Sequence, residues 1–195
     1  MQARAAWQTD EATGIGGIAP ERLVFLDESA VLINMARRYG RSPRGQRATA
    51  TVPFGNWQRL SVLGAINLDG MVAAMSIDAA TDRAVFAAYL EEVLLPTLRQ
   101  HKPDAVLVMD NLWAHKTSEV QAVLDRSGFA YCYMPSYSPD LSPIEPGWAK
   151  VKSYLRRVAA RTIEALEHAL GLALDAITAQ DAAGFFRHCG YLRPN

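Results

Sequence analysis

The chain has no run of apolar residues approaching the ~18 that a membrane-spanning helix requires. Its opening, Met1-Gln-Ala-Arg-Ala-Ala-Trp7, lacks the apolar centre of a secretory signal. Cysteine is scarce: Cys132 and Cys189 are the only two, distant in sequence and without metal-ligand spacing. That excludes a disulfide framework and a thiolate cage, and fits reduced thiols in a cytoplasmic protein. An excess of one charge is also missing, since 20 basic residues face 20 acidic ones and the formal net charge is zero. Bulk charge therefore draws the chain to no polyanion, and only local clustering of basic residues could do so. Internal repeats and low-complexity tracts are absent as well. What remains is 195 residues, 50% hydrophobic and 21% charged, enough for one well-buried domain and short for two.

Glycine, proline and turn dipeptides divide this chain. Residues 1–20, glycine-rich from Ala12, read as a connector ahead of a domain spanning 21–195. Arg22–Asp27 is a short apolar run and predicts a buried strand. Residues 28–59 carry Gly40, Pro43, Gly45, Pro53 and Gly55 among arginines, which predicts an excursion from the core. Ser61–Asn67 and Met71–Ile77 predict two strands joined through Leu68-Asp69-Gly70, a strong hairpin signal. Phe86, Tyr89, Leu90, Val93, Leu94 and Leu98 keep helical spacing behind a Thr81 or Asp82 cap, and Pro96 should kink or end that helix. Ala105–Asp110 predicts a strand buried on both faces, followed by a helix from Thr117 to Ser127 and a strand over Phe129–Tyr133. Trp148, Val151, Leu155 and Val158 mark one further helix; Ile163, Leu166, Leu170 and Ile177 mark another, capped by Thr162. Hairpins permit antiparallel pairs, whereas helical crossovers demand parallel neighbours. The order therefore predicts an α/β fold with a mixed five-stranded sheet and helices on both faces.

Three acids stand at the punctuation points. Asp27 closes the first apolar run, Asp110 closes Ala-Val-Leu-Val-Met, and Glu145 ends Ser-Pro-Ile-Glu at a helix start. Each has a local explanation: an acid can cap a turn after a strand or answer a helix dipole. Together, with two at strand ends where sheet-based sites form, they are the donor set that two Mg²⁺ ions about 4 Å apart require. Glu28 follows Asp27, and neighbours along a strand point to opposite faces, so only one of the pair can face such a site.

The words around these acids carry a resemblance. Asp110-Asn-Leu-Trp-Ala-His-Lys116 and Pro135-Ser-Tyr-Ser-Pro-Asp-Leu-Ser-Pro-Ile-Glu145-Pro-Gly-Trp-Ala-Lys-Val-Lys152 resemble the mariner-like DDE transposases, in particular their bacterial insertion-sequence branch. Leu26-Asp27-Glu-Ser29, Arg37-Arg-Tyr-Gly-Arg-Ser-Pro-Arg-Gly45 and Phe186-Arg-His-Cys-Gly-Tyr191 look like further words of that family, so the likeness spans roughly residues 20–191. It implies a ribonuclease-H-like fold and an Asp27–Asp110–Glu145 triad holding two Mg²⁺, with Mn²⁺ as a substitute. It also implies cleavage at terminal inverted repeats, joining of the freed 3′ ends to a TA target, a homodimer on DNA and a cytoplasmic, nucleoid-associated location. The chain departs from the family at Ser142, where Asn is usual, and at Pro146, which a first helical turn tolerates. Family members also carry helix-turn-helix modules ahead of the first catalytic strand. Few residues precede it here, so the chain is expected to be the catalytic half, working with a separate N-terminal part or with full-length transposase.

Basic residues are clustered despite the zero net charge. Six arginines and no acid lie between Arg37 and Arg59; Lys150, Lys152, Arg156, Arg157 and Arg161 follow Glu145 without an acid. Arg37, Arg38, Arg44, Lys150, Lys152 and Arg156 are candidate DNA contacts, with Lys152 and Arg156 on the helix face of Glu145. His115 and Lys116, in the Asp110 loop, are candidates as well. His101, His168 and His188 show no ligand-like clustering. The leading expectation is Mg²⁺-dependent DNA strand cleavage and transfer. The competing ones are a catalytically silent fragment that binds DNA and dimerises as a regulator, and a ribonuclease-H-like nuclease acting on RNA or branched DNA.

Overall fold

Apolar runs bounded by turn residues become strands: β1 (Leu23–Leu32), β2 (Arg59–Asn67), β3 (Gly70–Ile77), β4 (Val106–Met109) and β5 (Ala130–Tyr133). The structure, a computed structural model, describes residues 6–10, 14–52, 54 and 58–193. The strands form one sheet in the order β3-β2-β1-β4-β5. β2 is antiparallel to both β1 and β3, whereas β1, β4 and β5 run parallel. The connections explain the division. Asn67-Leu68-Asp69-Gly70 is a tight hairpin in which Asn67 Oδ1 accepts the Asp69 N–H at 2.8 Å, and Gly70 has φ of 126°, a region that L side chains rarely adopt. β4 and β5 are each reached through helices, and such crossovers return a parallel strand.

The passage from β3 to β4 is one helical run: α1 (Arg83–Ala88), a π-helical stretch (Tyr89–Leu94) and α2 (Leu95–His101). Asp82 caps it, its Oδ1 accepting the Val85 N–H at 2.9 Å. Pro96 does not end the run. It falls in the first turn of α2, directly after the π-helical turns, whose shifted hydrogen bonding accommodates a residue without an N–H. α3 (Ser118–Ser127) stops at Gly128, where φ is 78°. α4 (Ile144–Val158), α5 (Ile163–Asp175) and α6 (Ala179–His188) complete the order. The spacing of Ile163 through Ile177 reads as one helix, but the chain breaks after Asp175. Thr178 Oγ1 accepts the Asp181 N–H at 3.2 Å and Asp181 Oδ2 accepts the Thr178 N–H at 2.9 Å, a capping box that starts α6. Ile177 stays buried through the break, which is why the periodicity looks continuous.

Alternation along β1 sorts the core into two layers. Leu23, Phe25 and Val31 pack with Trp148, Val151 and Leu155 of α4, Leu166 and Leu170 of α5 and Phe186 of α6. Val24 and Leu26 pack with Phe86, Tyr89, Leu90 and Leu98 of the α1–α2 run and with Val120 and Leu124 of α3. Both faces of the sheet are covered, so β4 is apolar at every position. The segment read as a connector adds Trp7 and Ile15 to the first layer. Trp7 Nε1 donates to the Tyr191 hydroxyl at 3.0 Å. Among the described residues no helix is long and apolar enough to cross a membrane.

One close approach fixes the spacing between sheet and α4. A Cβ at Gly64 would lie 2.7 Å from Trp148 Cη2 and 3.0 Å from Met71 Cε. Gly64→Ala is therefore expected to lower stability by about 1–3 kcal/mol, the usual range for overpacking, measured as an earlier urea midpoint at unchanged slope. An unaltered midpoint would show that the indole can move aside freely.

Candidate active site

Asp27 lies in the middle of β1, not at its end. β1 continues to Leu32 because β2 pairs with it along that length, Leu32 opposite Arg59. On the other side the parallel partner stops early: β4 pairs with β1 only from Leu23↔Val106 to Phe25↔Val108. Continuing that register by two places sets Asp27 level with Asp110, just past Met109. The expected strand-end position is thus correct for the parallel half of the sheet and wrong for β1 itself. Asp27 points to the α4 side, where its Oδ2 accepts the Trp148 Nε1–H at 3.0 Å. Glu145 is in the first turn of α4, one turn before Trp148, and its side chain is exposed. Pro146 leaves this turn intact, since the helix runs unbroken to Val158.

Glu28, pointing to the opposite face, is engaged as well. His115 sits in a 3-10 turn (Trp113–Lys116) and is only 1% exposed, stacked on Phe86 with ring centroids 4.1 Å apart. Its Nε2 lies 3.3 Å from Glu28 Oε1, and its Nδ1 lies 2.6 Å from Asp110 Oδ1. The second contact is an ion pair more than an aligned hydrogen bond, since the Asp110 oxygen lies off the N–H direction. Burial disfavours the imidazolium, but Asp110 and Glu28 outweigh it and push the His115 pKa up to about 9. His115 is therefore a charged strut behind Asp110, and its burial removes it from the residues that could meet a phosphate at the surface. Asp110 Oδ1 also accepts the Leu112 N–H at 3.2 Å, which closes the turn.

Asp27, Asp110 and Glu145 line one cavity of about 290 Å³, together with Asn111, Leu112, Trp113, Met134, Tyr137 and Ser142. Burial pushes the Asp27 pKa up to about 7, with the charges of Glu145 and Asp110 adding to the rise against hydrogen bonds from the Glu28 N–H and Trp148. Ser142 Oγ, fully enclosed, has no hydrogen-bond partner among the described residues. The donor chemistry suits a hard divalent cation: carboxylate oxygens, one of them destabilised as an anion, and a spare hydroxyl. Among the described residues no three acidic, imidazole or thiol groups meet at a single point, and like charges favour such separation.

The basic candidates divide. Lys150 is engaged within the chain: its Nζ donates to Asp181 Oδ2 at 2.5 Å and to the Ala176 carbonyl at 3.0 Å, bracing the start of α6. Lys116 folds back on its own loop, donating to Asn111 Oδ1 and lying 4.9 Å from the Tyr133 ring centroid. Arg161 Nη1 holds the carbonyls of Ile33 and Met35 at 2.8 and 3.0 Å and so ties down the start of the excursion. Arg37, Arg38 and Arg44 are exposed, Lys152 and Arg156 half-buried, and none forms an ion pair among the described residues. Burial and then the charge of Arg38 lower the Arg156 pKa, so the two basic islands lie within electrostatic reach of each other. Sequence reasoning gave Glu28, Trp148 and Tyr191 no supporting role at the site. Tyr191 donates its hydroxyl to the Leu141 carbonyl at 2.5 Å, supporting the turn before Glu145.

Comparison with known proteins gives the family. Residues 22–167 match the model of the family described as DDE superfamily endonuclease. None of the curated proteins matches the chain. Among solved structures, the Mos1 transposase paired-end complex with left transposon end matches with TM-score 0.72 and 19% identity, over 87% of this chain and 52% of that one. The Mos1 Strand Transfer Complex gives 0.70 and 17%, again over 87% and 52%. The catalytic domain of Mos1 mariner transposase gives 0.65 and 14%, over 87% and 77%. At these identities the likeness establishes the fold, which is ribonuclease-H-like. The chain spans about half the length of the Mos1 chains in those two DNA complexes. With well over half of its residues inside the family match, the chain belongs to the DDE superfamily of endonucleases.

Proposed function

We propose that this chain is the catalytic domain of a transposase, cleaving DNA phosphodiesters at the ends of a mobile element and joining the freed 3′ ends to a target. The observation that carries the reading is the convergence of Asp27, Asp110 and Glu145 on one cavity from β1, the end of β4 and the first turn of α4. These three residues would hold two Mg²⁺ ions, or Mn²⁺ in their place. When bound, the ions activate an oxygen nucleophile and stabilise the leaving oxygen. Mos1 structures with Mn and with Mg are among the fold's neighbours. Asp27 is oriented by Trp148 and Asp110 by His115, so both enter ion binding with one oxygen already fixed. Glu145, exposed at a helix start, is the ligand left to move.

DNA approaches over α4 in this reading. Arg156 lies 11 residues beyond Glu145, about 16 Å along the helix axis, and the charge of Arg38, on the excursion, is felt there. Two guanidinium groups within electrostatic reach, neither in an ion pair among the described residues, make a site for backbone phosphate. Terminal inverted repeats, a TA target and a dimer on DNA follow from the family resemblance and belong to the same proposal.

Three measurements test it. Mg²⁺-dependent nicking of duplex DNA should fall roughly 100-fold or more in Asp110→Asn, which keeps size and removes the ligand charge. Equal nicking by both proteins removes the assignment, and DNA binding without any nicking favours the regulatory alternative.

In chelator, Asp27 holds its proton more tightly folded than unfolded, with a pKa of about 7 against an ordinary 3.8. The stability this brings is full below the unfolded value and is lost as pH rises through about 7. Asp27→Asn abolishes that loss and should exceed the wild type in stability by about 1–3 kcal/mol above pH 7, while losing Mg²⁺ binding. Parallel stability–pH curves for the two proteins contradict the electrostatic account.

Finally, Arg38→Ala with Arg156→Ala should flatten the log–log salt dependence of DNA binding by roughly 1–2, alike for all sequences. An unchanged slope returns both residues to the solvated surface.

A further inference from the structure

Ser142 is 2% exposed, and its enclosed hydroxyl is left without a partner among the described residues. Enclosing a hydroxyl in this way costs stability, so the position calls for a reason. The residue lines the same cavity as Asp27, Asp110 and Glu145. Its backbone is extended, with φ of −105° and ψ of 107°, whereas Pro143, at −61° and −19°, is already helical. Ser142 thus stands where a capping residue stands, and Ser142-Pro-Ile-Glu145 has the Ser-x-x-Glu spacing of a capping box. Neither half of that box is made. The Glu145 N–H donates to the Ser142 carbonyl at 3.2 Å, and the Ser142 N–H donates to the Pro139 carbonyl at 3.0 Å, closing the 3-10 turn Pro139–Leu141. The chain does close such a box at Thr178 and Asp181, so the motif itself is no obstacle.

We propose that Ser142 is a positioning residue for Glu145, its hydroxyl accepting the Glu145 N–H when that carboxylate turns into the cavity to hold a cation. The proposal rests on the ion-binding reading of the three acids and adds the residue that fixes the third. Two features favour it. With the Ser142 N–H spent on Pro139, the Glu145 carboxylate is not tied to its own helix start, and ion binding has no such bond to break. The Glu145 N–H reaches only the carbonyl three residues back, at 3.2 Å, the long end of the usual range, and can exchange it for the side-chain oxygen of the same residue. A hydrogen bond that forms only with the ion in place strengthens ion binding, whereas one present throughout strengthens only the fold.

The test compares the wild type with Ser142→Ala and Ser142→Thr in two measurements, urea unfolding in chelator and calorimetric titration with Mg²⁺. Ser142→Ala removes a hydroxyl that has no partner, so its midpoint in chelator should equal or exceed that of the wild type. Its Mg²⁺ affinity should nevertheless fall roughly 3- to 10-fold, the worth of one hydrogen bond. Ser142→Thr, which keeps the hydroxyl, should restore most of that affinity. Exchange of the Glu145 amide hydrogen, followed by NMR, should slow at saturating Mg²⁺ in the wild type and not in Ser142→Ala. An earlier midpoint for Ser142→Ala in chelator gives the hydroxyl a static role and overturns the proposal; so does an equal loss of affinity in Ser142→Thr, which traces the effect to shape. Mg²⁺ binding that Asp110→Asn abolishes and Ser142→Ala leaves intact also overturns it, while the three acids keep their ions. A wild type that binds no Mg²⁺ sinks both readings.

Discussion

The indole of Trp148 donates its N–H to Asp27 while its ring lies on the bare backbone of Gly64, which clamps the helix that begins at Glu145 to the strand that carries Asp27. Sheet and helix could pack in many ways that bury Ile144, Val151 and Leu155 equally well, because hydrophobic contact has no direction. The indole hydrogen bond has one. It is donor-only, so it demands a bare carboxylate oxygen and sets where that oxygen sits. Glycine opposite Asp27 in the β1–β2 register lets the ring lie flat enough to reach. The position of two acids thus depends on a residue that has no charge of its own.

The charge distribution shows what an added cation would offset. Asp27, Asp110, Glu28 and Glu145 gather where the parallel pairing of β1 and β4 ends, and protonated His115 is the one buried cation beside them among the described residues. It answers Asp110 and Glu28 from the far face and does nothing for Asp27, whose ionisation is opposed by burial and by its two acidic neighbours. Destabilisation of this kind is tolerated where a ligand will later offset it, and it is a common reason why sites for function lower the stability of the fold around them.

The architecture was largely legible in the chain because its strands are short apolar runs punctuated by glycine and proline, and Asp69-Gly70 leaves few alternatives for its hairpin. The three acids were legible as a pattern of strand ends and a helix start. What was not legible depended on partners distant in sequence. Asp27 appears terminal because the apolar run stops there, yet β2 extends β1 by supplying hydrogen bonds that no local pattern reveals. His115 looks like a loop residue, and only Phe86, Glu28 and Asp110 together draw it inside. Lys150 sits among candidate phosphate contacts on a helix surface, and its engagement follows from α6, whose capping box escaped notice because Ile177 keeps the apolar rhythm across the break.

The contact of Trp7 with Tyr191, and of Tyr191 with the Leu141 carbonyl, joins positions 184 and 50 residues apart. A link of such span closes late, because the chain entropy lost in forming it must be recovered from contacts already made. During synthesis the turn ahead of Glu145 would emerge and fold around α4 while its outer support was still being translated. A copy of the gene interrupted after α5 would encode all three acids and the whole sheet, and yet yield a site with that turn unsupported. The three acids alone therefore do not report an intact site; the aromatic brace from Trp7 through Tyr191 to Leu141 reports whether the turn before Glu145 is supported.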